Sequence, residues 1–252
     1  MRDISQYETD YTNYSDMSNQ FEDAYQVKYR QINVKKQIEK YAHGSILEIG
    51  CGMNTQANVL ENIEKYTIVE PAKMFTEKAQ KDLEGKQVII LEGLFEEKIR
   101  ELQKTPYEFV IIGSLLHELE NVDSFLEQVK KVCNSKTVIH VNVPNAKSFH
   151  RLLAIESGII DNAKEMSERN ITLQQKEIFD LTSLQELILK CGGDILDSGS
   201  YFVKPFTHLQ MMRCLDSGII NDNIVEGFNR MIKYMPELGS EIYVNFRWRG
   251  LC

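Results

Sequence analysis

Five short apolar segments alternate with helical segments between Ser45 and Val143, and this alternation constrains the fold more than any other feature. In chain order the apolar segments read SILEIG, YTIVE, QVIIL, YEFVIIGSL and TVIHVNV. They lack polar alternation on either face, which is typical of strands buried inside a parallel sheet. Strands that alternate with helices predict an α/β fold with a doubly wound, mostly parallel sheet.

The flanking segments are predicted to be mostly helical. Apolar positions in residues 18–42 have helical spacing. A later helix is predicted at LTSLQELILKCGG, with Thr182 as a candidate N-cap and Gly192 as its stop. Two further strands are predicted at DILDSGSYFVK and EIYVNFRW. The chain therefore divides into a helical cap (1–44), the first half of the sheet domain (45–143), a helical insert (144–180) and the C-terminal part of the sheet domain (181–252), with a second helical insert at about 205–238.

Composition argues against several classes of protein. The 252 residues carry a net charge of −8, which disfavours nucleic acid as the main partner. The five cysteines are scattered and form no C-x-x-C pair, so neither a metal cluster nor a secreted disulfide scaffold is expected. The polar N-terminus has no apolar signal core, and no apolar run approaches the length of a membrane span. We expect a cytoplasmic protein that uses neither a metal nor a membrane.

Ligands of doubly wound sheets bind at the carboxyl ends of the strands, near the point where the strand order reverses. This rule brings four parts of the chain around one crevice. They are Gly50–Asn54, Glu70, Gly93–Phe95 and Gly113–His117.

The turn after the first strand predicts a ligand that approaches the main chain closely. Gly50 and Gly52 have no side chains in the way, and the helix expected to follow would offer free N–H groups. A dinucleotide site would need a third glycine where Thr55 stands. Glu48, inside the strand, disfavours a pyrophosphate and suits an ammonium group, whereas Glu70 ends the second strand, where an acid binds ribose hydroxyls. S-adenosylmethionine has a ribose, an amino group and no phosphate, and it fits this set.

These motifs resemble those of the class I S-adenosylmethionine-dependent methyltransferases. ILEIGCGMN is similar to the family's first motif, with Asn54 in place of its third glycine, and YTIVEP is similar to its acidic ribose motif. LEGLFEE occupies the place of the adenine-contacting motif, with Leu94 where Asp is frequent. The resemblance implies a Rossmann-like, seven-stranded sheet with an antiparallel last strand and helical lid inserts. It also implies S-adenosyl-L-methionine as cofactor and S-adenosyl-L-homocysteine as product.

The resemblance further implies a set of cofactor-binding residues. In the family the N-terminal segment often covers the cofactor, so Tyr14 and Arg30 are candidates to contact its carboxylate, with a helix-surface position as the alternative. The remaining candidates are Glu48, Gly50, Cys51, Gly52, Glu70, Pro71, Gly93, Leu94, Phe95, Gly113 and Ser114.

A narrower resemblance follows the fifth strand. VNVPNAKSFHRLLAIESGII, KEIFDLTSLQELILKCGG and YFVKPF are similar to bacterial methyltransferases found with carbohydrate-assembly enzymes. This similarity implies methylation of a sugar or nucleotide-linked sugar, for example a heptose, in capsule or surface polysaccharide biosynthesis. It does not indicate which hydroxyl is methylated.

Two histidines are candidates for the base that accepts the proton of an acceptor hydroxyl, because imidazole titrates near neutral pH. His150 and His117 both follow carboxyl ends of predicted strands, although each could instead be an ordinary helix or turn residue. Asn145, Arg151 and Lys204 are candidates for substrate binding, the two cations through an anionic group of the substrate.

Other functions remain open from the sequence. A nucleic-acid methyltransferase is disfavoured because IIGSLL stands where D/N-P-P-Y/F would be expected, and a nicotinamide oxidoreductase is disfavoured by Thr55. A quinone or amine acceptor and a non-catalytic, cofactor-binding role are the alternatives that remain. A homodimer is compatible with the sequence, which does not decide the oligomeric state.

Overall fold

The computed structural model describes residues 4–13, 17–41, 44–61, 64–166, 168–172 and 174–251. Its centre is a seven-stranded sheet with the order β3-β2-β1-β4-β5-β7-β6. The strands are β1 (Ser45–Ile49), β2 (Lys65–Glu70), β3 (Val88–Glu92), β4 (Phe109–Gly113), β5 (Val138–Pro144), β6 (Gly193–Tyr201) and β7 (Glu241–Trp248). Only β7 runs antiparallel to its neighbours, β5 and β6. The predicted fold class is confirmed.

Helices cover both faces of the sheet and form the two inserts. They are α1 (Ile4–Asn13), α2 (Met17–Phe21), α3 (Val27–Tyr41), α4 (Lys73–Asp82), α5 (Phe95–Leu102), α6 (Val122–Lys130), α7 (Phe149–Glu156), α8 (Glu168–Thr172), α9 (Leu181–Lys190), α10 (His208–Asp216) and α11 (Asp222–Arg230). No helix of the described residues is long and apolar enough to cross a membrane.

Alternate residues of each strand enter separate cores, as the period of two in a strand requires. Leu47 and Val110 pack with α5, α6 and α9 on one face of the sheet. Ile46 and Phe109 pack with α3 and α4 on the other face. Both faces of the central strands are therefore buried, which explains their unbroken apolar sequences.

A third core joins the N-terminal cap to the second insert. Its buried members are Phe21, Tyr29, Tyr201, Phe202, Met211 and Val225. Tyrosines of the cap also donate to carboxylates of α11, Tyr25 to Asp222 at 2.6 Å and Tyr29 to Glu226 at 3.0 Å. The cap and the insert therefore pack as one layer over the carboxyl edge of β6.

The insert between β6 and β7 leaves and re-enters the sheet through a narrow neck. Tyr201 pairs with Glu241 as the last pair of the β6–β7 ladder, and the N–H of Ser240 donates to the carbonyl of Phe202 at 2.8 Å. Phe202 is fully buried and has a φ of +57°, an uncommon value for a bulky residue. The chain thus turns sharply at the point where the insert begins.

Two local expectations are wrong. The segment after the glycine turn is a short 3₁₀ helix, Gln56–Val59, rather than an α-helix, because Thr55 and Gln56 are tied to the sheet. The N-cap of α9 is Asp180, whose carboxylate accepts the Ser183 N–H at 2.8 Å, so the predicted cap Thr182 lies inside the helix.

The carboxylate of Glu48 ties β1 to the loop that follows it. Glu48 is only 5% exposed and accepts hydrogen bonds from the Thr55 hydroxyl, the Gln56 N–H at 2.9 Å and the Tyr66 hydroxyl at 2.9 Å. Burial raises the pKa of the Glu48 carboxyl to about 7, although these three hydrogen bonds act in the opposite direction. The loop is therefore held by an acid that is costly to ionise.

Polar residues at the start of α3 and directly before it hold this helix on the sheet. Arg30 donates to Glu241 with both Nη2 (2.6 Å to Oε1) and Nε (2.9 Å to Oε2), and Gln26 and Asn142 donate to the same carboxylate at 2.9 and 3.0 Å. The Tyr201 hydroxyl donates to it as well. Burial alone would raise the pKa of the Glu241 carboxyl, but Arg30 and these hydrogen bonds hold it below its ordinary value. Glu241 is therefore ionised and fully paired.

Glu48→Gln should remove one pH-dependent component of stability. In the wild type the folded state keeps a proton on Glu48 up to about pH 7, whereas the unfolded chain releases it near 4.5. Stability should therefore fall as pH rises between these values, by up to about 3 kcal/mol for this group. Urea unfolding from pH 4.5 to 8 measures the free energy of unfolding. That of the variant should rise relative to that of the wild type as pH rises. The exposed Glu101→Gln serves as control, and parallel curves for Glu48→Gln and wild type would contradict the expectation.

Arg30→Met should destabilise the fold by about 3–5 kcal/mol, because it leaves the buried Glu241 without its cation. Arg230, 70% exposed and 3.4 Å from Glu226, provides the matched control, and Arg230→Met should cost less than about 1 kcal/mol. Adding Glu241→Gln to Arg30→Met should recover part of the loss in urea unfolding. Equal costs for the two arginine variants would show that the buried pair is not what holds α3.

Candidate active site

The strand register brings the predicted crevice residues to one edge. Glu48 lies opposite Ile68 of β2 and Ile111 of β4, so Gly50, Glu70 and Gly113 stand at the same level, two residues further along. Glu70 in turn lies opposite Glu92, directly before Gly93. The sheet therefore assembles the four parts of the chain that the sequence could only place by rule.

The glycine turn is open on one side. Gly50 and Gly52 have φ values of +76° and +54°, which strongly favour glycine. A side chain at Gly52 would meet no heavy atom within 4 Å, whereas one at Gly50 would contact Leu115 at 3.5 Å. Cys51 between them is buried, and burial raises the pKa of its thiol well above the ordinary range. The main chain around Gly52 is thus accessible to a ligand, and the thiol is unreactive.

Glu70 anchors this turn from the next strand. Its carboxylate is 5% exposed and accepts the Gly52 N–H at 3.1 Å and the Ala72 N–H at 2.9 Å. The Gly50 N–H donates to the Val69 carbonyl at 2.8 Å. Glu70 is therefore already oriented at the mouth of the turn, and Pro71 continues the same bend.

The residues after the third strand offer backbone groups to a ligand rather than reactive side chains. Gly93 has a φ of +136° and Leu94 precedes α5, with its N–H donating to Glu97 at 3.3 Å. The Phe95 ring is 4% exposed and packs against Phe125, 5.6 Å between centroids. An adenine contact at this place would therefore use the backbone more than the Phe95 ring.

Ser114 follows Gly113 with a φ of +51°, rare for a residue other than glycine. Its N–H donates to the Asn142 carbonyl at 2.9 Å, which aligns the end of β4 with β5. Such outliers often occur at functional sites.

The N-terminal candidates have different outcomes. Tyr14 lies outside the described residues. Arg30 lies 22% exposed above the carboxyl edge, but its guanidinium is engaged by Glu241. Glu241 and Tyr201 were not singled out from the sequence. A charged residue directly before the apolar run IYV of β7 is the signal that could have identified Glu241.

His150 lies at the start of α7, beyond the carboxyl end of β5, and faces Lys204 from the segment after β6. The Lys204 Nζ is 3.5 Å from both ring nitrogens of His150. Burial, followed by the charges of Lys204 and Arg151, holds the pKa of His150 well below its usual range. The ring is therefore neutral at physiological pH and able to accept a hydrogen bond.

His117 is 4% exposed on the short 3₁₀ turn Leu116–Glu118. Its Nε2 lies 3.9 Å from the Glu118 carboxylate. Its carbonyl accepts the N–H groups of Lys176 and Glu177, which fastens the first insert to the end of β4. His117 therefore belongs to the same edge as His150 but is more deeply enclosed.

Two substrate-binding candidates contact loops in this structure. Asn145 donates to the carbonyls of Glu237 and Gly239 at 2.9 and 2.8 Å. Arg151 donates to the carbonyls of Ala163 and Glu165 at 3.1 and 2.7 Å. These contacts favour a role in shaping the site. Among the described residues, no group of three His, Cys, Asp or Glu side chains could hold a metal ion.

Comparisons with known proteins agree with this architecture. Residues 47–141, less than half of the chain, match a family model described as "Methyltransferase domain". No curated protein sequence matches the chain.

Several solved structures share the fold. A SAM-dependent methyltransferase from Archaeoglobus fulgidus is 14% identical, with 87% of this chain and 96% of that chain covered and a TM-score of 0.53. A "SAM-dependent methyltransferase, possible histamine N-methyltransferase" from Thermotoga maritima is 14% identical, with 91% and 94% covered and a TM-score of 0.56. The plantazolicin methyltransferase BamL is 12% identical, with 97% and 96% covered and a TM-score of 0.59.

Solved structures at such low sequence identity show the fold alone, and the family model is a separate match to part of the chain. The chain has the fold of the class I S-adenosylmethionine-dependent methyltransferases, and its residues 47–141 match the model of a methyltransferase domain.

Proposed function

We propose that the chain transfers a methyl group from S-adenosyl-L-methionine to a hydroxyl of a small-molecule acceptor, a sugar or nucleotide-linked sugar. The observation that carries the proposal is the open glycine turn at Gly52, bordered by the oriented carboxylate of Glu70. An open main chain and an acid at the next strand end suit a ribose-containing ligand without phosphates. The plantazolicin methyltransferase BamL, which shares this fold, was crystallised with S-adenosylhomocysteine.

The cofactor would lie along the carboxyl ends of β1, β2 and β4. Glu70 would accept hydrogen bonds from the ribose hydroxyls, and the turn around Gly52 would face the amino acid part. Glu48 is fully occupied by Thr55, Gln56 and Tyr66, so its part in binding is to hold the turn. Gly93, Leu94 and Gly113 would contribute backbone groups.

For this reaction the protein must align the acceptor hydroxyl with the methyl group and provide a base for one proton. Bound S-adenosyl-L-methionine would supply an activated methyl group for the acceptor oxygen and would leave as the neutral thioether, S-adenosyl-L-homocysteine. Alignment behind the methyl group contributes the larger part, up to about 7–11 kcal/mol in favourable cases. The hydroxyl proton passes to a base, a role that we assign to His150 or His117 because both lie at this edge.

The sugar acceptor is supported by the chain between β5 and the second insert. The segments that resemble carbohydrate methyltransferases supply His150, Arg151 and Lys204, and the structure brings these three residues together. An amine acceptor is the main competitor, because the Thermotoga maritima protein carries histamine N-methyltransferase in its name.

Glu70→Gln should weaken S-adenosylhomocysteine binding about 10- to 100-fold, because a neutral amide loses charge-assisted hydrogen bonds to the ribose. Isothermal calorimetry measures this affinity, and a melting curve checks that the turn is intact. Glu92→Gln, at the same edge on the next strand, is the matched control and should leave the affinity unchanged. Unchanged binding by folded Glu70→Gln would remove Glu70 from the site.

Labelled S-adenosylmethionine should transfer its methyl group to sugars or nucleotide-linked sugars, and not to histamine, a quinol or RNA. His150→Gln or His117→Gln should lower kcat by about 10²–10⁴-fold while S-adenosylhomocysteine affinity is retained. Wild-type turnover by both variants would show that neither is the base. Methylation of the amine alone would replace the sugar with an amine as acceptor.

A further inference from the structure

The outer edge of β3 pairs with no strand in the described part of the chain. β3 is the first strand of the sheet, and its neighbour is β2. Its sequence is VIILE, and the Ile89 side chain is 47% exposed on the face that α5 covers further along the sheet. An edge strand with a bare apolar side chain is a ready surface for pairing with another chain.

The ladder with β2 determines which backbone groups of β3 face outward. The Gly93 N–H donates to a carbonyl of β2 at 3.0 Å, so the odd-numbered residues of β3 direct their N–H groups toward β2. Backbone groups alternate along a strand, and Val88, Ile90 and Glu92 therefore direct theirs away from the sheet. The Val88 N–H is turned back onto the Lys86 carbonyl at 3.0 Å. The Val88 carbonyl and both groups of Ile90 remain for a partner strand.

The charges at the two ends of this edge are complementary to each other. Lys86 and Glu92 are exposed and lie three positions before and after Ile89. When two copies of β3 run antiparallel around a two-fold axis at Ile89, each Lys86 lies opposite a Glu92 and each Val88 opposite an Ile90. These outward-facing residues form hydrogen-bonded pairs in that register. Opposite charges directly across such a ladder stabilise it, so the edge is complementary to itself.

Both charges are available for this pairing. The Lys86 ammonium donates to the Ala57 carbonyl at 3.0 Å, and the Glu92 carboxylate accepts the Thr76 hydroxyl at 3.2 Å. Neither contact involves an opposite charge, and among the described residues neither side chain forms an ion pair.

The helices also leave room for a second copy. α4 packs on β2 and β3. In a continuous sheet the two copies of α4 would lie two strand spacings apart, about 10 Å, which is the ordinary distance between packed helices. The partner strand can therefore approach without displacing α4.

We propose that β3 pairs with β3 of a second copy of this chain, antiparallel and centred on Ile89, so that two seven-stranded sheets become one. The inference goes beyond the proposed function. The two-fold axis places the two glycine turns at opposite edges of the joined sheet, and each candidate site is contained in one copy.

Charge reversal tests the register, with self-association of the full-length chain measured by sedimentation equilibrium. The wild type should be a dimer at micromolar concentrations. Lys86→Glu or Glu92→Lys places like charges opposite each other, and each should raise the dissociation constant at least about 10-fold. Combining Lys86→Glu with Glu92→Lys restores opposite charges and should return the constant to within about threefold of the wild type. Lys190→Glu, at an exposed lysine paired with Asp123 on the helices α9 and α6, is the matched control and should leave association unchanged.

A disulfide provides a second measurement at the same edge. In the proposed register the two copies of Ile89 form a pair without hydrogen bonds, whose Cα atoms lie about 4.5 Å apart, within the range that a disulfide spans. Ile89→Cys should therefore form a covalent dimer on mild oxidation. Leu189→Cys, at a position that is 48% exposed on α9, is the matched control and should not.

A monomeric wild type overturns the proposal. So do single reversals that leave the dissociation constant unchanged, a double variant as weak as the single ones, or equal cross-linking of the two cysteine variants. Lys86→Glu should bind S-adenosylhomocysteine with wild-type affinity in calorimetry, because each site lies in one copy. A failed dimer with retained binding therefore leaves the methyltransferase function standing.

Discussion

The buried carboxylate of Glu48 is the interaction on which the site depends. Glu48 stands in β1, a buried interior strand of the sheet, and fixes Thr55 and Gln56. The glycine turn between Glu48 and Thr55 therefore has a defined path. Tyr66 closes the same network from β2. A carboxylate in this position would be unfavourable without these donors. The Glu70 carboxylate also accepts the Gly52 N–H. Two acids on neighbouring strands, Glu48 and Glu70, therefore fix the conformation of the same turn.

Much of the sheet could be predicted because its central strands are buried on both faces and carry unbroken apolar sequences. The antiparallel β7 came with the family resemblance, since apolar spacing alone does not give strand direction. The helix expected after the glycine turn was wrong for a physical reason. TQANVLENI has helical spacing, but Thr55 and Gln56 bond to a carboxylate seven and eight residues earlier, and this bond outweighs local propensity.

Some residues of the candidate site could also be predicted from the sequence, whereas others could not. The glycine turn and the acids at the strand ends can be identified from the sequence, because few folds require a strand, two closely spaced glycines and then an acid at the end of the next strand. Gln26 and Arg30, at the start of α3, cannot be identified in this way. In the sequence they look like solvent-facing residues, and their partner Glu241 lies more than 200 positions later. The contact between His150 and Lys204 depends on β6 lying two strands away from β5 with its carboxyl end at the same edge. Sequence separation hides such pairs, and only the assembled sheet reveals them.

The neck of the second insert has a consequence for how this protein can change over evolutionary time. Because Phe202 and Ser240 meet through one main-chain hydrogen bond, everything between them departs from and returns to a single point of the sheet. The length of the insert can therefore change without altering the register of β6 and β7, provided that Met211 and Val225 keep their contacts with the cap. The first half of the sheet domain and the second insert can therefore diversify at different rates.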